Sequence, residues 1–416
     1  MLKKSFWTTL ASLAFAIQSL VTNKLFSLYF GPQGVTLLAH FQNIIAIFTT
    51  VPNDGVNRGV IRFLADPTID NKQWSKYFNA ALVLNLLSFI VCVGFMASFY
   101  TTLQHDFPKE IFSPTYISLF LLGIILHFAS IFLVNIFLAT SYTVAYSVFS
   151  ILSNVLGVCL TWSGLQSGMV NGLIFLSFAP STVLIFMAIY FVSINRKRLA
   201  EYYFTTDKTA VFQVGSFVLT ALSGVVLGKV VDFFVRAYVI DQFQLYQTGL
   251  WQGVVKISDG YSTVFNAAFG MLFFVKISSI MNQPAELQSF VRKSILYITL
   301  ISTVGLCTVW LLKIQILTLL YNADFAPAQG LMDFQLLGDL FKFPSWILGF
   351  LLLSQLRIRD YIATQVVSAF IYCFFIWLLI PFLGIQGLPV AHFIRFVIYL
   401  FILIYINKKI IFGNTH

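Results

Sequence analysis

Residues 115–139 read TYISLFLLGIILHFASIFLVNIFLA, an unbroken stretch without a single Asp, Glu, Lys or Arg. A bilayer core of about 30 Å takes about 20 apolar residues in helical form, so this stretch predicts a membrane-crossing helix. The same ruler, moved outward, places further spans at 5–30, 35–64, 78–100, 143–164 and 168–195. A second set follows at 209–234, 244–277, 290–320, 326–355, 362–381 and 385–407. The fold class this predicts is all-α integral membrane, with about twelve transmembrane helices in two groups of six.

Composition agrees. The 416 residues are 59% hydrophobic and only 10% charged, with a mean hydropathy of +0.87, whereas soluble domains carry about a quarter charged residues. The net charge of +10 would point to nucleic acid in a soluble protein. Here the basic residues sit mostly in short segments between apolar runs, where they set topology, so the partner expected is the lipid bilayer and not nucleic acid. Cys92, Cys159, Cys307 and Cys373 fall in separate apolar stretches without metal-ligand spacing and read as small core hydrophobes. The N-terminal Lys3-Lys4 and the apolar run after it resemble a signal peptide, but the run continues to Phe30 without a small-residue cleavage site and reads as a retained first helix.

With the N-terminus inside, sixteen Lys and Arg residues fall at cytoplasmic ends and loops, among them Arg196, Lys197, Arg198 and Lys208. Only Lys109 and Arg236 fall in outer loops. The positive-inside rule then puts both termini in the cytoplasm and checks the helix count, since losing one helix inverts everything downstream. The polar segment 196–208 at the middle of the chain reads as a cytoplasmic linker between an N-terminal lobe, 1–195, and a C-terminal lobe, 209–416. A faint repeat relates Thr22-Asn23-Lys24-Leu25 to Leu227-Gly228-Lys229-Val230, as in transporters built from parallel repeats.

Seven basic residues lie inside the spans: Lys24, Arg58, Lys229, Lys256, Lys313, Lys342 and Arg395. Five acids join them: Asp54, Asp232, Asp259, Asp333 and Asp339. Each would cost about 2.5 to 3.5 kcal/mol at a lipid-facing helix centre, so they are expected to face a hydrated cavity or a partner. In the eighth span Gln252, Lys256, Asp259, Thr263, Asn266 and Gly270 recur at intervals of four and three, one polar stripe on one helix face. A second stripe, Asn43, Thr50, Asp54, Asn57 and Arg58, is interrupted by Pro52 and Gly55; a third runs Gln335, Asp339, Lys342 and Trp346; the twelfth span adds His392 and Arg395. The blander reading is that Asp54 with Arg58, Lys229 with Asp232, Lys256 with Asp259 and Asp339 with Lys342 are local ion pairs that hold helices together. Lys313 is expected to snorkel to the outer interface, and His40, His127 and His392 to be satisfied structural residues. No Gly-rich phosphate loop is present, and the longest outer loop, 101–114, leaves little room for an active site, so the chain does not read as an enzyme.

Three motifs carry a family resemblance: Phe30-Gly31-Pro32-Gln33-Gly34; Gly249-Leu250-Trp251-Gln252-Gly253 with Ile257-Ser258-Asp259-Gly260-Tyr261; and Gln335-Leu336-Leu337-Gly338-Asp339-Leu340-Phe341-Lys342. With them the chain, over nearly its whole length, resembles the Wzx-type polysaccharide-precursor flippases of the multidrug/oligosaccharidyl-lipid/polysaccharide (MOP) exporter superfamily, in the O-antigen and lipid III branch. The resemblance implies two six-helix lobes around a central cavity in a bacterial inner membrane. The implied substrate is an undecaprenyl-diphosphate-linked oligosaccharide, with a polysaccharide polymerase and assembly proteins as further partners. No cofactor is implied beyond coupling to a proton or sodium gradient.

On that basis the residues expected at the phosphates are Arg58, Lys256, Lys342 and Arg395, since Lys and Arg supply charge-assisted hydrogen bonds to phosphate oxygens. Gln252 joins them as a polar contact, Lys24 and Lys229 guard the outer exit, and Asp54, Asp259 and Asp339 are tuning or coupling acids. Moving about two negative charges outward across an inside-negative potential of about 100 mV yields about 4 to 5 kcal/mol, so the membrane potential itself favours export. The alternatives are a multidrug exporter of the same superfamily, which would favour an acidic cavity, and a membrane enzyme of polysaccharide assembly. Basic residues outnumber acids in the spans, against the first.

Overall fold

The computed structural model describes the chain except for residues 1, 65–68, 141, 206, 222–226, 267–270, 356 and 414–416, with the side chains of 2–6, 58, 217–221, 227, 271, 272, 274, 275 and 278 also outside the described set. The described residues are almost entirely helical. The helices are α1 (Leu2–Leu64), α2 (Asn71–Ser98), α3 (Tyr100–Asp106), α4 (Pro114–Ala139), α5 (Thr143–Gln166), α6 (Met169–Phe178), α7 (Leu184–Ile194), α8 (Arg196–Ala200) and α9 (Lys208–Ala221). They continue as α10 (Leu227–Phe265), α11 (Met271–Ile280), α12 (Pro284–Leu311), α13 (Lys313–Leu320), α14 (Gln329–Ser354), α15 (Ile358–Leu383), α16 (Gly387–Ile406) and α17 (Lys408–Phe412).

Eight stretches of the described residues are long and apolar enough to cross a membrane, and two of these, Trp7–Leu64 with 58 residues and Ile358–Ile406 with 49, have the length of two passes each. The outward faces are apolar: Ile185 is 73% exposed and Phe382 79%. Lipid, not water, is the solvent these side chains suit. Local chemistry sets the helix ends. Asp70 caps α2 by accepting from the Gln73 amide, and Ser113 caps α4 ahead of Pro114 at its first turn. Between α5 and α6 the chain turns at Gly168, φ 128, and the two helices close on each other through Gly164 and Gly172.

The chain forms two compact units. The first holds residues 1–30 and 37–241, the second 31–36 and 242–416. This division differs from the lobes expected from the sequence, which met in the polar segment 196–208. The physical reason is that α9, expected in the second lobe, packs on α2: Tyr77 donates to Gln213 at 2.9 Å, and Lys76 pairs with Asp207 at 3.0 Å. The core of the first unit gathers Trp74, Phe78, Phe132, Phe137, Met187 and Val214, with Trp74 stacked on Phe78 at 4.8 Å.

Two long helices kink at single residues. In α1 the break is Gly31 (φ 60, ψ −153), and in α10 it is Gln244 (φ 58, ψ −179). The outer turn expected after residue 234 is therefore helix, and Arg236, expected in an outer loop, is a buried α10 residue. Matching the kinks aligns the helices that follow them within the second unit. Five residues after Gly31, Thr36 donates to the Leu245 carbonyl at 2.7 Å. Five residues after Gln244, Gly249 lies so close to Pro32 that a Cβ there would stand 2.0 Å from the Pro32 carbonyl oxygen. Pro32 and Leu245 each follow their kink by one residue, so the two contacts are mates under a local two-fold relation. In this register Lys24 and Lys229 do not correspond, unlike in the repeat read from the sequence.

Candidate functional site

A dense polar cluster lies in the second unit, where α10, α14 and α16 meet around Asp339. This carboxylate is fully buried, yet three donors and the ring nitrogen of His392 surround it. Lys342, one turn along α14, reaches Oδ1 at 2.9 Å, and His392 Nε2 from α16 stands 3.1 Å from the same oxygen. Ser258 of α10 donates to Oδ2 at 2.6 Å, and the Tyr261 hydroxyl donates to Oδ2 as well. A buried ion pair is tolerated when hydrogen bonds satisfy its remaining lone pairs, and here Oδ2 accepts two hydrogen bonds while Oδ1 accepts from Lys342 and faces His392 Nε2.

The sequence makes room for this. Gly338 lets α16 approach so closely that a Cβ at this position would stand 2.3 Å from His392 Cδ2. Trp346 lies under the Lys342 ammonium, 5.2 Å from ring centroid to Nζ, a favourable arrangement for a cation away from water. Near the cluster on α16, Arg395 donates to Ser368 at 2.8 Å and lies over the rings of Tyr372 at 5.1 Å and Phe396 at 5.0 Å.

One atom of the cluster has two incompatible duties. His392 Nε2 stands 3.1 Å from Asp339 Oδ1 and also 3.1 Å from Gln335 Nε2. With a proton on Nε2 the ring donates to Asp339 and repels the Gln335 N–H; without it the ring accepts from Gln335 and turns a lone pair toward the carboxylate. Proton occupancy at this nitrogen therefore selects between two hydrogen-bond patterns linking α14 and α16.

The first unit holds a second buried pair. His40 of α1 stands 3.1 Å from Asp106 at the end of α3, off the hydrogen-bonding line, with its ring stacked between Phe107 at 5.2 Å and Phe233 at 5.1 Å. Asn43 donates to the Lys229 carbonyl at 3.0 Å. Asn85, buried, has neither amide atom hydrogen-bonded, and the same holds for buried Gln252 in the second unit.

Of the residues singled out from the sequence, Lys342, Asp339, Gln335 and His392 come together. Lys342 is not open to a hydrated space as expected: its side chain is 7% exposed and ion-paired. The eighth-span stripe rotates from buried Gln252 through half-buried Lys256 to exposed Asp259, Thr263 and Asn266, while Gly270 lies outside the described residues. Lys24, Lys229 and Asp54 are half-buried, and the Arg58 side chain lies outside the described residues. Lys313, expected to snorkel to the outer interface, pairs with Asp333 at 2.7 Å. Sequence reasoning gave no role to Ser258 or Tyr261, whose one signal was their place in the motif Ile257-Ser258-Asp259-Gly260-Tyr261, and missed the His392 contact, signalled only by its place three residues before Arg395. Among the described residues no group of three or more His, Cys, Asp or Glu is arranged to hold a metal ion.

Residues 1–112 match a family described as polysaccharide biosynthesis protein. Over 404 residues, 95% of both chains, the sequence is 24% identical to the lipid III flippase of Escherichia coli (strain K12), with the same figures for the lipid III flippase of Shigella flexneri. The fold matches the lipid II flippase MurJ in an inward closed conformation, with a TM-score of 0.64, 17% identity and coverage of 98% of this chain and 88% of that one. It also matches the MATE multidrug transporter DinF-BH, with a TM-score of 0.65, 16% identity and coverage of 99% and 96%. The all-α fold is thus shared with these transporters of known structure.

Proposed function

We infer that this chain is a flippase that carries a lipid-linked oligosaccharide, a polyprenyl diphosphate bearing a short glycan, from the cytoplasmic to the outer leaflet of a bacterial inner membrane by alternating access. The observation that carries this reading is the similarity to lipid III flippases along 95% of both chains, on a fold shared with transporters. Both termini are cytoplasmic in this reading, which the basic-residue asymmetry of the loops supports.

The phosphate contacts proposed are Arg58, Lys256 and Arg395, with Gln252 as a polar neighbour, Lys24 and Lys229 toward the outer side, and Asp54 and Asp259 as tuning acids. Lys342 is reassigned: its ion pair supports a role with Asp339 and His392 in coupling transport to a proton gradient, since His392 Nε2 has two hydrogen-bond patterns to choose between. A polymerase and assembly proteins are the partners this function would require.

Lys256 tests the reading. As a phosphate contact, Lys256→Ala abolishes complementation of a flippase-deficient strain while the protein stays inserted, and Lys256→Arg restores part of it by keeping the charge. A Lys256→Ala/Asp259→Ala double variant that regains both abundance and translocation would instead make Lys256 half of a structural pair and remove it from the site.

A further inference from the structure

On an exposed apolar face of the first unit, α5 and α7 frame a groove of ≈ 490 Å³ lined by Phe149, Leu152, Val183, Phe186, Ile189 and Tyr190. Its origin is local. At one end the two strands of chain are pinned, with Gly157 against Ala179 so closely that a Cβ would stand 2.7 Å from the Ala179 Cβ, and with Ser153 donating to the Pro180 carbonyl at 2.7 Å. Residues Ala179–Val183 then run as a 3₁₀ turn between α6 and α7, and Val183 at its end is a groove residue. Aromatic contacts seal its floor: Phe149 lies 5.7 Å from Tyr190 and 5.7 Å from Phe137.

The other end carries charge. Ser193 is the last groove residue, and beyond it come Arg196, Lys197 and Arg198. Backbone bonds bridge the helix junction, from Asn195 to Phe191 at 3.1 Å and from Leu199 to Asn195 at 2.8 Å, while Asn195 itself (φ −104, ψ 14) ends α7 and precedes the short α8. Phe186, Ile189 and Ser193 follow at intervals of three and four on the groove side of α7, and Arg196 and Lys197 come three and four residues after Ser193 in the short α8 at the same end of the groove. Arg198 is held over the Trp74 ring at 5.7 Å. Arg196 and Lys197 are exposed, and no acid among the described residues pairs with them. An apolar channel thus ends on two cations that lack a counter-charge.

From this juxtaposition we propose that the groove and its basic mouth bind an anionic glycerophospholipid of the inner leaflet, one acyl chain along α5 and α7 and the phosphate at Arg196 and Lys197. Length favours this occupant. The ten-residue rise from Val183 to Ser193 is about 15 Å at 1.5 Å per residue, half of the about 30 Å hydrocarbon core, which is the depth of one leaflet. A polyprenyl chain outruns such a groove. The site rests on the topology given above, not on the flippase reading, and adds a lipid dependence that the transport cycle does not itself require.

The test is native mass spectrometry of the full chain exchanged into detergent with either palmitoyl-oleoyl phosphatidylglycerol or palmitoyl-oleoyl phosphatidylcholine. The wild type should retain the anionic lipid preferentially. Arg196→Gln/Lys197→Gln, which leaves fourteen inner basic residues to hold the topology, should weaken that adduct by about fivefold per charge without changing the phosphatidylcholine adduct. Leu152→Trp, which fills the groove from an exposed position, should weaken the same adduct with the charges intact. Equal retention of both lipids, an anionic adduct unmoved by either variant, or displacement of phosphatidylglycerol by equimolar polyprenyl diphosphate would each overturn the assignment.

Discussion

Lys342 and Asp339, three residues apart on one helix, form an ion pair of 2.9 Å in which the carboxylate is shielded from solvent on every side. The pair is local in sequence, but the hydrogen bonding of its carboxylate depends on α10 and α16, which bring Ser258, Tyr261 and His392 from 53 to 81 residues away. A cluster held from three helices answers differently to the loss of one member than to the loss of two.

Lys342→Met should destabilise the protein by about 3–5 kcal/mol, because it leaves Asp339 buried without its cation. Asp339→Asn combined with Lys342→Met should regain most of that loss, since the remaining amide is neutral and still faces donors and acceptors. Thermal unfolding in detergent reads both. A double variant no more stable than Lys342→Met would mean that the pair does not carry the cost.

Gly249→Ala should be among the most damaging small substitutions in the second unit. The added methyl would meet the Pro32 carbonyl at 2.0 Å, and backbone cannot swing aside as a side chain can. Gly305→Ala, also within a helix but with nothing inside 4 Å of the added Cβ, should be neutral or stabilising by up to about 1 kcal/mol. Abundance of the two variants in membranes compares them directly.

Gln244→Gly should raise the unfolding midpoint. A side chain at φ 58, ψ −179 sits in a region that glycine alone occupies freely and costs about 1–3 kcal/mol, against about 0.5–1 kcal/mol of extra backbone entropy for glycine. A midpoint unchanged or lowered would show that Gln244 holds its conformation through contacts worth more than the strain.

Asp207, ahead of α9, should contribute stability that disappears in acid. The Ala210 amide at 3.0 Å and then the Lys76 ammonium pull its carboxyl down to about 2, below the unfolded value of about 3.9. The contribution is therefore complete above about pH 4 and lost as pH falls toward about 2. The gap in unfolding midpoint between the wild type and Asp207→Ala should narrow across that interval; a gap constant with pH would refute the assignment.

The helices were legible because membrane solvation imposes one rule on every span, and residues 115–139 obey it without exception. The Asp339–Lys342 spacing was legible for the same reason that any i,i+3 pair is. Ser258 and Tyr261 were not, since a serine and a tyrosine on a membrane helix become ligands of a carboxylate only through packing against α14, which no local pattern encodes. The stripe from Gln252 to Asn266 misdirected attention by one residue: Asp259 is exposed while its neighbour Ser258 points at Asp339. The boundary between units was hidden too, because a polar run was read as a linker, whereas the packing of α9 on α2 depends on contacts that no local pattern encodes.

Gly31 and Gln244 share a backbone geometry without sharing a residue type. If the halves descend from one ancestral segment, the second copy has lost the amino acid that makes this bend easy and kept the bend. The shape there is enforced by surroundings such as the Gly249 approach to Pro32 and is not a preference of the local sequence. Searches for duplicated ancestry that score residue identity will pass over such a position, whereas a comparison of torsion angles will find it.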